Sequence, residues 1–552
     1  MSLSKLFGVG VSGLMASQRG LANAGHNIAN VNTPGYSRQR VDLVAKPAQG
    51  AGNGFIGKGV DVNSVRRSYD QFLTTQLRTS TSSHTYSEAF YALAARVDGL
   101  LAAPASGLSS ALQNFFAALH DLAEDPASLP ARQLVLSEGE GLVQRFHTLD
   151  SQLAELGQAA DERLSGLVQE VDGLANAVAD LNRGIIEAEG ATGGQPANDL
   201  RDRRDELVRQ LAERIGITTL EQDDGALNIT IGNGQALVTG SHVASLTSVP
   251  NAFDPNRHEI AITTGEARAV ISDALRGGEI GAVLEFRSQV LDPAQNAVGR
   301  VAIALAETFN GQHRQGVDLA GNPGEAFFAP LESRSAHGVH SHQLNSPGGA
   351  APGVVVTDPH KLSPSDYLLD YDGTRYRLTR ISDNSVEVFD APLGSIELPQ
   401  DGLRIDVSGL TAGDRFLLQP THRAARDIQL AITDERAIAA GHSGSVGDNR
   451  NALALAALQT TPTLANQSAT YEEAYGQLVV SVGATTRRAE TQRGAQEILL
   501  QQVMEAREQV AGVNLDEEAA NLLRYQQAYQ ASARFIAVAD EVLSSLLAAV
   551  GR

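Results

Sequence analysis

The sequence predicts a mainly α-helical, multidomain α+β protein with coiled-coil-like terminal helices, a long helical-bundle body and two small antiparallel β regions. Apolar residues recur at heptad spacing at both ends of the chain and along a central segment. Long stretches lack proline, and two regions alternate apolar and polar residues as β-strands do. The 552 residues are enough for three to four domains.

The first helix carries a bulky apolar residue every seven positions, with small residues such as Gly10, Ser17 and Ala24 between them. A neighbouring helix can lie close against such a surface. The residues that we expect to pack against a partner are Leu3, Phe7, Leu14, Leu21 and Ile28.

The last helix repeats this pattern, since nine of eleven heptad positions between 515 and 550 are apolar. Its bulky seam residues are Leu515, Leu522, Tyr529, Ile536, Leu543 and Leu547. Residues 1–40 carry a net charge of +4 and residues 505–552 a net charge of −3. Opposite charge and matching seams indicate that the two ends pair with each other or with other copies. The alternative is that each seam is the buried face of an ordinary globular helix.

Between the ends, the segment Gly141–Ile186 follows one heptad register and predicts a single long helix. Other segments with helical periodicity are 68–101, 106–123, 197–214, 274–314, 423–440, 448–459 and 466–511.

Two segments are predicted to be β. Around 217–270, alternating residues lead into Asn233-Gly234, and around 330–422 they flank Asp372-Gly373; both dipeptides favour tight hairpin turns. The predicted organisation is a terminal helical unit (1–40 with 508–552), a helical body (41–216 with 271–329 and 423–507), a β region attached to the body (217–270) and an inserted outer β domain (330–422).

Composition excludes several classes of function. The chain has no cysteine, so it has no disulfide framework and no thiolate chemistry. A net charge of −21 argues against binding nucleic acid, and the longest apolar run, seven residues, is too short to span a membrane. No motif predicts a cofactor or an active site. The cluster His337, His340 and His342 beside Glu332 leaves metal binding open.

A distinctive segment follows the first helix. Proline cannot continue a helical hydrogen-bond ladder, and asparagine and glycine tolerate unusual backbone angles, so the segment predicts a helix stop and a turn. The alternative is an ordinary exposed turn. Its key residues are Asn27, Asn30, Asn32, Pro34, Gly35 and Tyr36.

These residues also carry a resemblance. The sequence ANAGHNIANVNTPGYSRQR at Ala22–Arg40 resembles the N-terminal signature of bacterial flagellar rod, hook and hook-associated proteins, and Val513–Val550 resembles their C-terminal signature. Within that axial family, Tyr36-Ser-Arg38 and residues 310–324 and 514–530 are most similar to the members that join hook to filament.

The resemblance implies a structural, non-enzymatic subunit, exported through the flagellar type III apparatus without a cleaved leader and assembled outside the cell. The paired terminal helices would form the inner tube wall through the two bulky seams, and the Asn-Pro-Gly segment would make the turn into the body. The implied partners are further copies in a ring-like zone, the hook protein, the second junction protein, and an FlgN-type chaperone on the C-terminal helix before export.

Two alternatives stay open at this point. The chain could be another axial subunit, of hook or distal rod. Less in keeping with the sequence, the 330–422 module could be an adhesin or a wall-cleaving enzyme carried on an axial scaffold.

Overall fold

The computed structural model of the protein describes residues 3–51, 54–102, 107–331, 338–345, 349–443, 445 and 447–550. It confirms a mainly helical chain with antiparallel β modules. The helices are α1 (Leu3–Ala29), α2 (Gln71–Leu101), α3 (Leu108–Glu124), α4 (Leu129–Ala191), α5 (Asn198–Arg214), α6 (Gly278–Phe286), α7 (Asp292–His313), α8 (Ala424–Asp427), α9 (Arg450–Ala457), α10 (Tyr471–Ala511) and α11 (Leu515–Val550).

The longest element is α4, whose 63 residues extend about 95 Å. It begins earlier than the predicted Gly141 because Ser128 caps its first turn, accepting a hydrogen bond from the amide of Ala131, and Pro130 is preorganised for that turn. It ends at Ala191, just before Gly193 adopts a positive φ. Apolar side chains on one face stay buried along most of its length.

The segment predicted as one helix over 274–314 is α6 and α7, joined by a π-helical turn at Arg287–Leu291. The prediction of a helix over 423–440 is wrong. Only the short α8 and a single 3₁₀ turn at Glu435–Ala437 form there, because the chain after α8 pairs with 327–329. The amide of Ala329 donates to the carbonyl of Gln429, and that of Ala431 donates to the carbonyl of Phe327.

The first strands lie inside the segment assigned to the helical body. Strands β1 (Gln39–Ala45) and β4 (Val60–Arg67) pair antiparallel and enclose the small hairpin β2 (Gln49–Ala51) and β3 (Gly54–Ile56). We call β1 and β4, with Phe55 and Ile56 of β3, the hairpin arm.

The region attached to the body has two sheets, of order β5-β6-β7-β8 and β11-β10-β9. Asn233 and Gly234 turn the chain between β6 and β7, with Gly234 at a φ of +95°. The strands are β5 (Ile217–Glu221), β6 (Leu227–Ile231), β7 (Gln235–Thr239), β8 (His242–Val243), β9 (Ser245–Pro250), β10 (His258–Thr264) and β11 (Ala267–Val270).

The outer region has a five-stranded sheet, β12-β19-β14-β15-β16, and a three-stranded sheet, β13-β18-β17. Asp372 and Gly373 form the turn between β14 and β15. The strands are β12 (Val339–Ser341), β13 (Gly353–Val356), β14 (Tyr367–Tyr371), β15 (Arg375–Arg380), β16 (Val386–Asp390), β17 (Ser395–Leu398), β18 (Leu403–Asp406) and β19 (Arg415–Leu418).

One continuous hydrophobic core links the body to both β regions, from Phe90 to Ala489. Within this core Phe115 meets the rings of Phe309, Phe327 and Phe328 at centroid distances of 5.4 to 6.1 Å. Helices α1 and α11 contribute no residue to this core. They form a separate layer, which we call the terminal pair.

Candidate assembly interface

The terminal pair is antiparallel, and α1 meets α11 through small residues. A Cβ placed on Gly10 would lie 2.7 Å from Cγ1 of Ile536, and one on Gly20 would lie 2.6 Å from the ring of Tyr525. Real Cβ atoms do not approach other atoms so closely, so these side chains of α11 fill space that only glycine leaves free. The glycines of α1 that α11 closes off are Gly10, Gly13 and Gly20, and Ser17 and Ala24 are buried small residues at the heptad positions after Gly10.

Ile536 lies in this contact, and the other bulky seam residues are covered to different extents. On α1, Phe7, Leu14, Leu21 and Ile28 are half-buried, as are Leu522, Ile536 and Leu543 on α11. By contrast, Leu515, Tyr529 and Leu547 are exposed, and the side chain of Leu3 lies outside the described residues. Within one chain, small residues of α1 therefore make the closest contacts with α11. Several of the bulky seam residues remain partly or fully exposed.

Among its described residues the terminal pair leaves nine large apolar side chains exposed, and we call them together its apolar outer face. Single exposed apolar side chains are normal, but clusters mark contact sites. The exposed large apolar residues of the pair are Val11, Met15, Leu515, Leu523, Tyr529, Phe535, Val538, Val542 and Leu547.

Asn27 lies in the last turn of α1, is fully buried and makes hydrogen bonds to the segment that follows. Its amide nitrogen donates to the carbonyl of Gln39 (2.9 Å) and to Glu518 (3.2 Å). Its amide oxygen accepts from the Tyr36 hydroxyl (2.7 Å) and the Gln39 amide (2.9 Å). All four of its hydrogen-bonding positions are used, so this residue ties together the end of α1, the turn, the hairpin arm and α11.

The other turn residues divide into two groups. Asn30 closes the helix end, donating to the carbonyl of His26 and accepting from Thr33, whereas Asn32 and Pro34 are exposed. Gly35 has a φ of +79°, and a Cβ there would lie 2.9 Å from that of Glu206.

Burial raises the pKa of Tyr36, and the negative charges of Asp199, Asp202 and Glu518 raise it further. The phenol therefore stays neutral and keeps the proton that it donates to Asn27.

An ion pair joins this turn to the start of α11. Arg38 donates from two nitrogens to Glu517 (2.6 and 2.9 Å) and from Nε to Glu518 (2.7 Å). The side chains of Arg38 and Glu518 are only 7% and 2% exposed. Burial opposes the charge of Arg38, but the hydrogen bonds that it donates to both glutamates outweigh burial and raise its pKa. Hydrogen bonding to Arg38 lowers the pKa of Glu517.

A second set of contacts fastens the turn to the body. The amide of Ser37 donates to Asp202 of α5 (2.9 Å), and Arg67 of β4 bridges Asp202 and Asp205 (2.7 and 2.6 Å). The amide of Arg38 donates to the carbonyl of Ala511 at the end of α10. The terminal pair is thereby held at a defined place on the body.

Sequence reasoning identified the turn but missed its partners on the body. The basic N-terminal segment and the acidic Asp516-Glu517-Glu518 gave a signal for the Arg38 pair. Nothing in the sequence distinguishes Asp202 from the other acids of α5, because its role depends on how α5 lies against β4.

The structure describes two members of the histidine cluster, His340 and His342. His337 and Glu332 lie outside the described residues. His340 is half-buried on β12, and His342 packs edge-on against Phe253, with centroids 5.1 Å apart. Among the residues that the structure describes, no three histidine or carboxylate side chains are grouped to hold a metal ion.

None of the helices within the described ranges is long and apolar enough to cross a membrane.

Four family models match consecutive segments. Residues 7–36 match the flagella basal body rod protein, 94–328 the helical domain of flagellar hook-associated protein FlgK, 341–420 the D2-like domain of flagellar hook-associated protein 1, and 508–549 the flagellar basal body rod FlgEFG protein C-terminal model.

Curated relatives match over the whole length. Flagellar hook-associated protein 1 of Salmonella typhimurium is 36% identical, and that of Escherichia coli 34%, each over 99% of this chain and 100% of the relative. The solved flagellar hook junction protein FlgK from Burkholderia pseudomallei shares the fold, with a TM-score of 0.72 and 23% identity over 79% of this chain and all of that one. The resemblance inferred from the terminal signatures is confirmed: the chain belongs to the FlgK family, the flagellar hook-associated protein 1 family.

Proposed function

We propose that this chain is a structural subunit of the bacterial flagellum that forms the junction between hook and filament, held there by its terminal pair. One observation carries the proposal. The pair has an apolar outer face that nothing within the described chain covers, and it is anchored to the body by the Asn27 and Arg38 contacts. Membership in the FlgK family supports the same role.

Further copies of the chain are the natural cover for this face. Because α1 and α11 present different residues, contact between copies joins two unlike surfaces, and such contacts build rings or helical tubes. The seam residues Leu3, Phe7, Leu14, Leu21, Ile28, Leu515, Leu522, Tyr529, Ile536, Leu543 and Leu547 would supply the apolar packing between and within subunits.

The neighbours along the axis would be the hook protein on one side and the second junction protein on the other. Before assembly, the apolar face of α11 favours aggregation, which supports an FlgN-type chaperone on this helix. Export through the type III apparatus without a cleaved leader would place the subunit outside the cell. The absence of cysteine fits a chain that is threaded unfolded and refolds outside. The proposed role needs no cofactor, metal or enzymatic activity.

A hook or distal rod subunit is the nearest rival. The models that match the two termini are named for rod proteins, whereas those that match 94–328 and 341–420 are named for the hook-associated protein. The central domains therefore favour the junction.

Removing Leu515–Arg552 tests the proposal in cells that lack the native copy. We expect a complete hook with no filament attached, because the apolar face of α11 is gone. A chain carrying only Leu344→Ser, on the exposed surface of the outer β domain, should attach filaments normally. A defective or absent hook in the deletion strain would favour the rod or hook role instead.

A further inference from the structure

We propose that the hairpin arm of one subunit docks on the end of the body of an adjacent copy, against a surface formed by the start of α2, the end of α10 and the start of α11. The inference rests on the proposed assembly and adds a second contact to the one made by the terminal pair. It is carried by two complementary surfaces on the same chain.

The first surface is the tip of the hairpin arm. Phe55 is 83% exposed, and its neighbour Ile56 is also exposed, as are Leu43 and Val44 of β1. An aromatic side chain left this open on a two-stranded ribbon stabilises nothing within the chain. Lys46 and Lys58 flank the tip, and they are two of the four lysines in a chain of net charge −21. The tip is therefore apolar with a basic rim.

The second surface lies where three helix ends meet, and we call its exposed apolar residues the body-end patch: Phe72 near the start of α2, Met504 and Val510 in the last turns of α10, and Leu515 at the start of α11. All four are exposed, Phe72 at 73%. Helices α2 and α10 are neighbours there, since Leu73 and Val510 line one small cavity. Exposed acids lie beside the patch: Glu505, Glu508 and Asp516 are close in sequence to its residues, with one basic side chain, Arg507, among them, whereas Glu517 and Glu518 are already paired with Arg38. The patch is therefore apolar with an acidic rim and complements the arm tip in both properties.

The arm cannot cover the patch of its own chain, because it points away from it. Gln39, at the base of β1, bonds to Asn27 near the body, whereas Gly59 and Val60, at the far end, lie against Ser12. Along α1 these contacts are about 22 Å apart. The body-end patch lies at the Asn27 end, where Arg507 donates to the carbonyl of Gly35. A copy displaced along the α1 axis would bring its patch to the arm tip, which makes a second copy the expected occupant.

Cross-linking tests this contact directly. Because the chain has no native cysteine, any thiol cross-link within it must involve the introduced residues. The variant Phe55→Cys/Met504→Cys is assembled on flagella and treated with a short bifunctional thiol reagent. We expect a ladder of covalently joined chains, because each copy contributes one arm and one patch. The matched control, Leu344→Cys/Met504→Cys, should give no ladder. A ladder absent from assembled junctions, or equal in the control, would overturn the inference.

Charge reversal provides an independent reading. Lys58→Glu should reduce the fraction of cells with filaments several-fold, and adding Glu505→Lys should restore it, whereas Lys361→Glu on the outer β domain should change nothing. An unaffected Lys58→Glu strain, or one that Glu505→Lys fails to rescue, contradicts the docking. If tagged chains still occupy the junction while both tests fail, only the arm contact is wrong. If tagged chains are absent from the junction, the proposed function fails as well.

Discussion

The body and the terminal pair place their large apolar side chains differently. In the body, Phe115 and its aromatic neighbours are enclosed in a core that needs no other molecule. In the terminal pair, small residues bring two helices into close contact, and large apolar residues such as Phe535 and Val538 stay exposed. A domain that is stable by itself buries its large apolar side chains. A domain that is stabilised by assembly can bury small residues within the chain and leave large apolar side chains exposed for contact with other subunits.

The two regions also meet through different chemistry. The body is held by apolar packing, but its joint with the terminal pair is a polar network around Asn27, Arg38 and Glu518. Polar networks are directional, so this joint sets the orientation of the pair on the body more than it adds stability. A subunit of a tube needs that orientation to repeat from copy to copy.

The largest expected effect is in the body. Phe115→Ala removes a fully buried ring and should reduce the free energy of unfolding by about 3 to 5 kcal/mol. Denaturant titration followed by circular dichroism measures it. Phe72→Ala, at an exposed site, should change the value by less than about 0.5 kcal/mol. Equal effects from both would contradict the enclosed core.

The next effect is at the joint. Arg38→Ala leaves Glu518 buried without its partner and should destabilise attachment of the terminal pair by about 3 kcal/mol. We expect faster amide exchange at Gln39 and around Glu518, and an unchanged exchange rate in the body core. Arg183→Ala breaks an exposed pair with Asp180 and should alter exchange little, by at most about 1 kcal/mol. Unchanged protection in Arg38→Ala would show that the network does not hold the joint.

A smaller effect separates two glycines of α1. Gly20→Ala places a methyl group against the Tyr525 ring and should weaken the pair by about 1 to 3 kcal/mol. Gly25→Ala meets nothing within 4 Å and should strengthen the helix by about 0.5 to 1 kcal/mol. Limited proteolysis of α1 follows both. The same sign for the two variants would argue against the close contact.

Acid should affect the two regions over different pH ranges. His422, at the end of the outer β domain, lies close to Asp292 of α7 in the body. Burial lowers its pKa to about 4, so its contribution to the stability of this part of the body is present above its ordinary value of 6.5 and is lost as pH falls from 6.5 towards 4. The lowered pKa of Glu517 makes its contribution to the pair present above about 4.5 and lost only below that value.

Amide exchange as a function of pH, in His422→Gln and Glu517→Gln, checks this order. Each substitution should flatten the profile of its own region. A flattened profile in the other region would contradict the assignment.

The sequence predicted elements that depend on local pattern and missed contacts that depend on folding. Heptad spacing identified α1, α11 and the interior of α4, and Asn233-Gly234 marked its hairpin. The segment 423–440 was predicted wrongly because helical periodicity there is overridden by backbone pairing with Phe327 and Ala329. The role of Asp202 was invisible for the same reason, since it is created by a strand more than a hundred residues earlier.

The position of the subunit in the assembled flagellum directly tests the proposal that it forms the junction between hook and filament. An epitope inserted at the exposed turn Asp383-Asn384, on the outer β domain, can be labelled with gold on intact flagella. We expect a single narrow band at the boundary between hook and filament, which disappears when Leu515–Arg552 is removed. Label along the hook or rod, or a boundary band that persists without α11, would contradict it.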